Sequence, residues 1–293
     1  MKINNAVILA AGFSSRFVPI CFDKPKGLLV VKGETLIERQ IRQLKEVGIQ
    51  DISVVTGAYR EQFDFLSEKH GVHLVYNPDY DTKNNFASFY AAKDVLGDTL
   101  ISSADLYFPK NIFVSETEHP YYASVFMKGK TNQRCLTLDE SDKIIATSYH
   151  GENTWITFGG HAVLSKEICQ KLIGYIEPIY DNPDFKNKYW VDFQDEHLAE
   201  CPMYIKRLDL ADIVEFNTLA ALKTFDPDFR AIEQSETMAR ICQMLSCQEE
   251  DLHDYMPIKE GNKAVGCSFS LKDEKYNYLD QSQTLEVQND TRN

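Results

Sequence analysis

No run of about 18 apolar residues occurs in the 293-residue sequence, so no segment of it reads as a membrane span. The apolar "AVILAA" near the start is too short for a secretory core and passes directly into a polar turn. Basic residues are in deficit: 31 Lys and Arg stand against 44 Asp and Glu, a net charge of −13. A phosphate backbone requires a basic face, so this balance excludes a general nucleic-acid binder. The seven cysteines form no CxxC and no His/Cys set at zinc spacing, which reads as free thiols in a reducing cytoplasm. Seven histidines are scattered without a suitable Ser or Cys partner, leaving a nucleophilic triad unsupported. Two familiar phosphate loops are also missing, since GxxxxGK[ST] is absent and "GFSSRF" fails GxGxxG.

What is present is an alternation of short apolar runs with helical patterns. "NAVILAAG" reads as a buried strand, and "TLIERQIRQLKEVGI" as a helix with Leu36, Ile37, Ile41, Leu44 and Val47 on one face and Gly48 as its stop. "DISVVTG", "VHLVYN" and "TLISSAD" read as further strands, separated by the helices "REQFDFLSEKHG" and "NNFASFYAAKDVLG". Such alternation predicts an α/β fold, a mostly parallel sheet with helices on both faces. Between about 120 and 160 the pattern turns to antiparallel strands, a small insertion in that sheet. "SKEICQKLIGYI" predicts a helix capped by Ser165, and "TLAALKTF" a shorter one. Residues 1–225 are expected to form one domain and 226–293 an extension, with the polar stretch from 273 onward frayed.

Ligands of open α/β sheets bind beyond the carboxyl ends of the strands. Gly12 and Arg16 follow the first strand, Gly57 the second and Asp105 the fourth, so they share one rim. Gly12 permits a close turn whose N–H groups can cradle an anion. Arg16 offers a planar fork for phosphate oxygens and Lys26 a movable point charge, whereas Lys24 reads as a solvated lysine. In a protein whose overall field repels anions, this local cationic cluster points to a nucleoside triphosphate.

The stretch "LAAGFSSR", eight residues and Pro25-Lys26 matches the nucleotidyltransferase signature LAAGxxxR–PK after a strand. With "LIERQIRQLKEVGI", "NNFASFY" and "SADLYFPKN", the chain from residue 3 to about 223 resembles the bacterial CTP:phosphocholine cytidylyltransferases. That resemblance implies a Rossmann-like nucleotidyltransferase fold and direct transfer from CTP to phosphocholine or a similar small phosphorylated amine, with Mg²⁺. It implies that Arg16 holds the triphosphate and departing pyrophosphate, and that Lys26 contacts the attacking phosphate and the α-phosphate. Leu9, Ala10, Ala11 and Gly12 would line the nucleotide, and Gly57, Asn84, Asn85 and Ser88 would lie near the base. Asp105 would be a Mg²⁺ carboxylate, with Glu215 and Asn217 of "VEFN" near a second metal position. Asn217 departs from the Asp expected in the phosphocholine branch, and an amide oxygen ligates without charge.

The acceptor end is read from aromatic and acidic residues, because aromatic faces hold a quaternary ammonium well. "KYWVDF" is similar to an aromatic-acid stretch of the phosphocholine enzymes, making Tyr189, Trp190 and Asp192 candidates. Arg134 in "TNQRC" stands where that family is expected to carry an aromatic, and a guanidinium there would instead suit a carboxylate. Acceptors such as 2-aminoethylphosphonate or a phosphorylated amino acid or amide therefore stay open, as do a sugar-1-phosphate nucleotidyltransferase and a degenerate nucleotide-binding module. The C-terminal "EGNKAVGCSFSL" resembles the start of a choline-kinase-like amino-terminal lobe. No HxD-type catalytic segment follows it, so kinase activity is not expected.

Overall fold

The structure, a computed structural model, describes residues 1–288, without the side chains of residues 158 and 159. The first strand, β1 (Asn5–Leu9), is buried over its first four residues, as a central strand covered on both faces must be. A loop and a short ribbon of β2 (Val30–Val31) and β3 (Glu34–Thr35) lead into helix α1 (Leu36–Glu46). Leu36, Ile37, Ile41 and Leu44 form its buried stripe, and Gly48 at φ 91° ends it in the left-handed conformation that glycine tolerates. The alternation continues through β4 (Ile52–Thr56), α2 (Phe65–His70), β5 (His73–Tyr76), α3 (Phe86–Ala91) and β6 (Thr99–Ser103). Strands β5, β4, β1 and β6 lie side by side and parallel.

A short strand, β7 (Leu106–Tyr107), follows, and the predicted antiparallel segment comprises β8 (Tyr121–Thr131), β9 (Cys135–Leu138), β10 (Ile144–Ser148) and β11 (Gly151–Leu164). Fourteen-residue β11 runs antiparallel to β6 at one end and to β8 and β9 along the rest, so the antiparallel part continues the same sheet. Helix α4 (Lys166–Ile176) begins where the Ser165 side chain accepts from the Ile168 N–H at 3.3 Å, the predicted cap. Helix α5 (Trp190–Asp195) follows, then β12 (Tyr204–Leu208), parallel to β8, and β13 (Val214–Glu215), antiparallel to β7. The remaining elements are α6 (Leu219–Phe225), α7 (Glu236–Leu245) and an antiparallel sheet of β14 (Leu252–Glu260), β15 (Lys263–Leu271), β16 (Glu274–Leu279) and β17 (Thr284–Val287). Among the described residues, no helix is long and apolar enough to cross a membrane.

The chain forms two compact units, and their boundary is not at residue 225. One unit holds Met1–Gly12 with Leu36–Glu215, and the other holds Phe13–Thr35 with the chain from Phe216 onward. The physical reason lies inside the second unit, where the loop residues Phe17, Cys21 and Phe22 are buried alongside Met238, Ile241, Cys267 and Tyr278 of the extension. Much of the stretch expected to fray from 273 onward is ordered there. In β16, Tyr276 and Tyr278 alternate inward, Tyr276 stacking on Phe269 at 5.9 Å and Tyr278 packing 6.3 Å from Phe22. Residues 289–293 of that stretch lie outside the described residues.

All seven cysteines are free thiols, and all but Cys247 are buried. Burial pushes the Cys21, Cys169 and Cys242 thiols up to about 12.

Candidate active site

In the sheet unit the carboxyl ends of three parallel strands are knitted together. Ala10 N–H donates to the Val55 carbonyl at 2.8 Å, Ala58 N–H to Ala11 at 3.1 Å, and Ala104 N–H to Leu9 at 2.9 Å. Gly57 sits where this knit is tightest: a Cβ there would lie 2.6 Å from the Ala11 carbonyl oxygen and 2.5 Å from Tyr80 Cβ. Gly12, by contrast, is exposed, and a Cβ on it would meet no heavy atom within 4 Å. The left-handed residue of the following loop is Ser14, at φ 55°, so the turn assigned to Gly12 is made two residues later.

Asp105 occupies the short turn between β6 and β7 and is half-buried. The register of β13 on β7 sets Glu215 opposite Leu106, next in sequence to Asp105, so two candidate metal carboxylates share one end of a ladder. Gln40 of α1, fully buried, supports this turn: its amide donates to the Ser103 and Leu106 carbonyls at 2.9 and 2.8 Å and accepts from the Ser102 hydroxyl at 2.7 Å. Sequence reasoning missed Gln40, although a polar residue on the apolar stripe of a helix was the signal that could have found it. Among the described residues, no group of three or more His, Cys, Asp or Glu side chains could by itself hold a metal ion. Mg²⁺ commonly takes one or two carboxylates together with waters and substrate phosphates, so the hard oxygens of Asp105 and Glu215 are the right donor chemistry for it.

In the second unit Arg16 is exposed on a single 3₁₀ turn, Ser15–Phe17. Lys26 is 7% exposed, donates to the Phe216 carbonyl at 2.7 Å and lies 4.7 Å from the centre of the Phe17 ring. The movable point charge expected at this position is anchored, beside the residue that precedes Asn217.

Back in the sheet unit, an open cavity of about 480 Å³ is lined by Tyr149, Lys188, Tyr189, Asp192, Asp195 and Glu196, among others. Tyr149 and Tyr189 are 48% and 47% exposed, so both rings are accessible there. The Tyr149 hydroxyl donates to Asp192 at 2.8 Å, and the Tyr189 N–H to the other Asp192 oxygen at 2.7 Å. Shielding of its phenol end, and then the bond to Asp192, raise the Tyr149 pKa above the ordinary phenol value. Lys188 pairs with Glu196. Tyr149, Asp195 and Glu196 were not singled out from sequence, because "TSYHGEN" and "QDEH" carry no motif spacing.

Two acceptor candidates lie elsewhere than expected. Trp190 is 1% exposed, stacked on Phe89 at 5.4 Å and on Tyr122 at 5.8 Å, which makes its indole part of the hydrophobic core. Arg134 is 5% exposed and forms a two-pronged pair with Asp195, accompanied by Gln194 at 3.1 Å and the Tyr122 ring at 4.6 Å. Its guanidinium is thus committed to an internal carboxylate. Asn84 and Asn85, expected near the base, reach the segment before α5 and its first residue: Asn84 donates to the Asn187 carbonyl at 2.9 Å, and Asn85 accepts from Trp190 N–H at 3.0 Å. Ser88 is buried and accepts from Asn77 at 3.1 Å.

Residues 6–153 match the MobA-like NTP transferase domain. The chain belongs to that family and is a nucleotidyltransferase. It is 33% identical over 232 residues to choline-phosphate cytidylyltransferase of Streptococcus pneumoniae, covering 78% of this chain and 96% of that protein. It is 34% identical to 2-aminoethylphosphonate cytidylyltransferase of Lancefieldella rimae, covering 76% of this chain and 92% of the relative. The solved CTP:phosphocholine cytidylyltransferase of S. pneumoniae superposes with a TM-score of 0.73 at 31% identity, covering 78% of this chain and all of that one.

Proposed function

We propose that the protein transfers the cytidylyl group of CTP to phosphocholine. A phosphate oxygen of phosphocholine attacks the α-phosphorus of CTP, the bond from α-phosphorus to the bridging oxygen breaks, and pyrophosphate leaves. No protein nucleophile is needed, and a phosphomonoester is already largely ionised at neutral pH, so positioning and charge neutralisation carry the reaction. In this reading Arg16 holds the triphosphate and the departing pyrophosphate, and Lys26 steadies the attacking phosphate. Leu9 to Gly12, together with Gly57, present backbone to the nucleotide. Asp105 and Glu215 would hold Mg²⁺, which when bound supplies positive charge at the α-phosphate and pyrophosphate.

The observation that carries the choice of acceptor is the cavity beside Tyr149 and Tyr189. Its carboxylates are engaged already, Asp195 by Arg134, Glu196 by Lys188 and Asp192 by Tyr149 and the Tyr189 N–H. A primary ammonium needs hydrogen-bond acceptors of its own, whereas a trimethylammonium has no N–H to satisfy and is held by aromatic faces in a negative field. That favours phosphocholine over 2-aminoethylphosphonate, the acceptor in the name of the second relative.

The test is pyrophosphate release with CTP and Mg²⁺ against phosphocholine, phosphoethanolamine, 2-aminoethylphosphonate and glucose 1-phosphate. Turnover on phosphocholine at the highest kcat/KM is expected. Preference for a primary amine would overturn the acceptor, and preference for the sugar phosphate would overturn the amine class altogether.

A further inference from the structure

The eight residues between Arg16 and Pro25 have little regular structure of their own. They belong to a run of single 3₁₀ turns, Ser15–Phe17, Ile20–Phe22 and Lys26–Leu28, in which few backbone bonds repeat. A loop of that kind takes its shape from whatever it packs against. One such partner here is the chain after residue 225.

Asp23, three residues before Lys26, supplies the principal tie. One carboxylate oxygen accepts from the Thr237 N–H at 2.8 Å and the Ser235 hydroxyl at 2.5 Å; the other accepts from the Thr237 hydroxyl at 2.9 Å. Ser235 is itself the N-cap of α7, accepting from Met238 N–H at 3.0 Å. Asp23 is therefore a second, long-range cap on the positive end of a ten-residue helix, which stabilises both partners. Further along, Gln234 brackets Val30, donating to its carbonyl at 2.9 Å and accepting its N–H at 2.8 Å. Asp226 accepts from the Lys32 N–H at 2.7 Å, where Lys32 holds a left-handed φ of 51°. On the other side, the hydroxyl of Ser15, next to Arg16, donates to the Asn262 carbonyl at 2.6 Å in the turn joining β14 and β15. Phe22 adds an apolar contact to Tyr278, the ring centres 6.3 Å apart.

We infer that the segment from Asp226 to β17 is a positioning element of the phosphate loop, acting through Asp23 and Ser15 to set Arg16 and Lys26. It is a working part of the transferase, not an inert appendage. The inference rests on the assignment of Arg16 and Lys26 to the CTP phosphates. It also explains why the loop and the extension form one compact unit, although 180 residues of the other unit, Leu36–Glu215, separate them in sequence.

The test compares the full chain with Asp23→Ala, Thr237→Ser, Ser15→Ala and, as the control for the assignment itself, Arg16→Ala. Steady-state kinetics are run in CTP and in phosphocholine, with melting temperature alongside. Asp23→Ala is expected to lower kcat/KM for CTP by about tenfold or more, since misplacing a positioned group by an ångström has effects of that size. Its KM for phosphocholine rises as well, because Lys26 steadies the attacking phosphate, and Thr237→Ser, which keeps both the hydroxyl and the N–H, behaves as the parent does. Should Asp23→Ala prove unstable, Ser15→Ala, the loss of one loop hydroxyl, must still raise the KM for CTP. A uniform fall in kcat with unchanged KM for CTP, tracking the folded fraction, would overturn the inference, and so would parental kinetics in both variants. If Arg16→Ala keeps full turnover, the phosphate assignment has failed instead, and the two failures are told apart.

Discussion

The side-chain amide of Gln40 donates to the carbonyl of Leu106, and its second hydrogen goes to Ser103, so one buried glutamine bridges the turn that carries Asp105. Replacing it removes a donor from each of these two carbonyls, at about 1–3 kcal/mol for a buried group that is left unsatisfied. Gln40→Leu is expected to lower the melting temperature and to raise the half-saturating Mg²⁺ concentration several-fold, read by thermal unfolding and by a Mg²⁺ titration of turnover. Gln40→Glu keeps the shape but donates to neither carbonyl when ionised and to one at most when protonated, so it should shift both readouts in the same direction. An unchanged Mg²⁺ dependence in both would disconnect this turn from the metal.

Gly57→Ala tests the knit of strand ends. Its Cβ would fall 2.6 Å from the Ala11 carbonyl oxygen, a backbone atom that cannot rotate away. The expected result is destabilisation by roughly 1–3 kcal/mol, as for overpacking elsewhere, together with a raised KM for CTP. The phosphocholine KM should move little, and steady-state titration of each substrate separates the two.

At the acceptor cavity the aromatic face, more than the hydroxyl, is expected to matter. Tyr189→Leu should raise the KM for phosphocholine roughly 2- to 30-fold, the equivalent of 0.5–2 kcal/mol of cation–π attraction. Tyr189→Phe should preserve it. Equal losses in the two variants would argue for a hydrogen bond from the phenol instead.

Arg134 carries the opposite prediction. Breaking a buried ion pair from one side strands the remaining charge, so Arg134→Met should destabilise the fold by about 3–5 kcal/mol, measured by denaturant unfolding. A variant of full stability with altered acceptor preference would restore the carboxylate-recognition role considered from sequence.

His161 gives the pH dependence. It is fully buried among Phe108, Phe113 and Tyr121, with one ring nitrogen on the Ile101 carbonyl at 3.1 Å. Burial, reinforced by Lys206, pushes it down to about 3. The unfolded chain takes up this proton near pH 6.5, so the stability held by neutral His161 is complete above that value and declines as the pH falls toward 3. The slope attributable to one such group is about 1.4 kcal/mol per pH unit. His161→Gln should flatten the acid limb of stability between pH 6.5 and 5, as followed by urea unfolding at stepped pH.

The parallel strands, α1 with its Gly48 stop and the Ser165 cap were legible because each is a local pattern of spacing and end chemistry. The position of Asp105 at a strand exit was legible for the same reason. Tyr189 and Trp190 were not separable: adjacent aromatics look alike in sequence, and only packing puts one against Phe89 and Tyr122 and leaves the other half exposed. Arg134 was read as facing a ligand because its partner Asp195 lies 61 residues away. The extension read as polar and frayed because its inward residues, Tyr276 and Tyr278, alternate with charged and amide neighbours, and Phe22, the ring against Tyr278, is more than 250 residues earlier.

The thiols also furnish a clock. Cys21 and Cys267 are shut inside the unit of loop and extension, Cys169 and Cys201 inside the sheet unit, and each reacts with an alkylating reagent only when its surroundings open. Pulsed alkylation with peptide mass mapping would therefore time the opening of each unit from a single unmodified sample. CTP should slow the Cys21 and Cys267 pair if binding tightens the loop, so the native sequence already carries the labels that its own dynamics require.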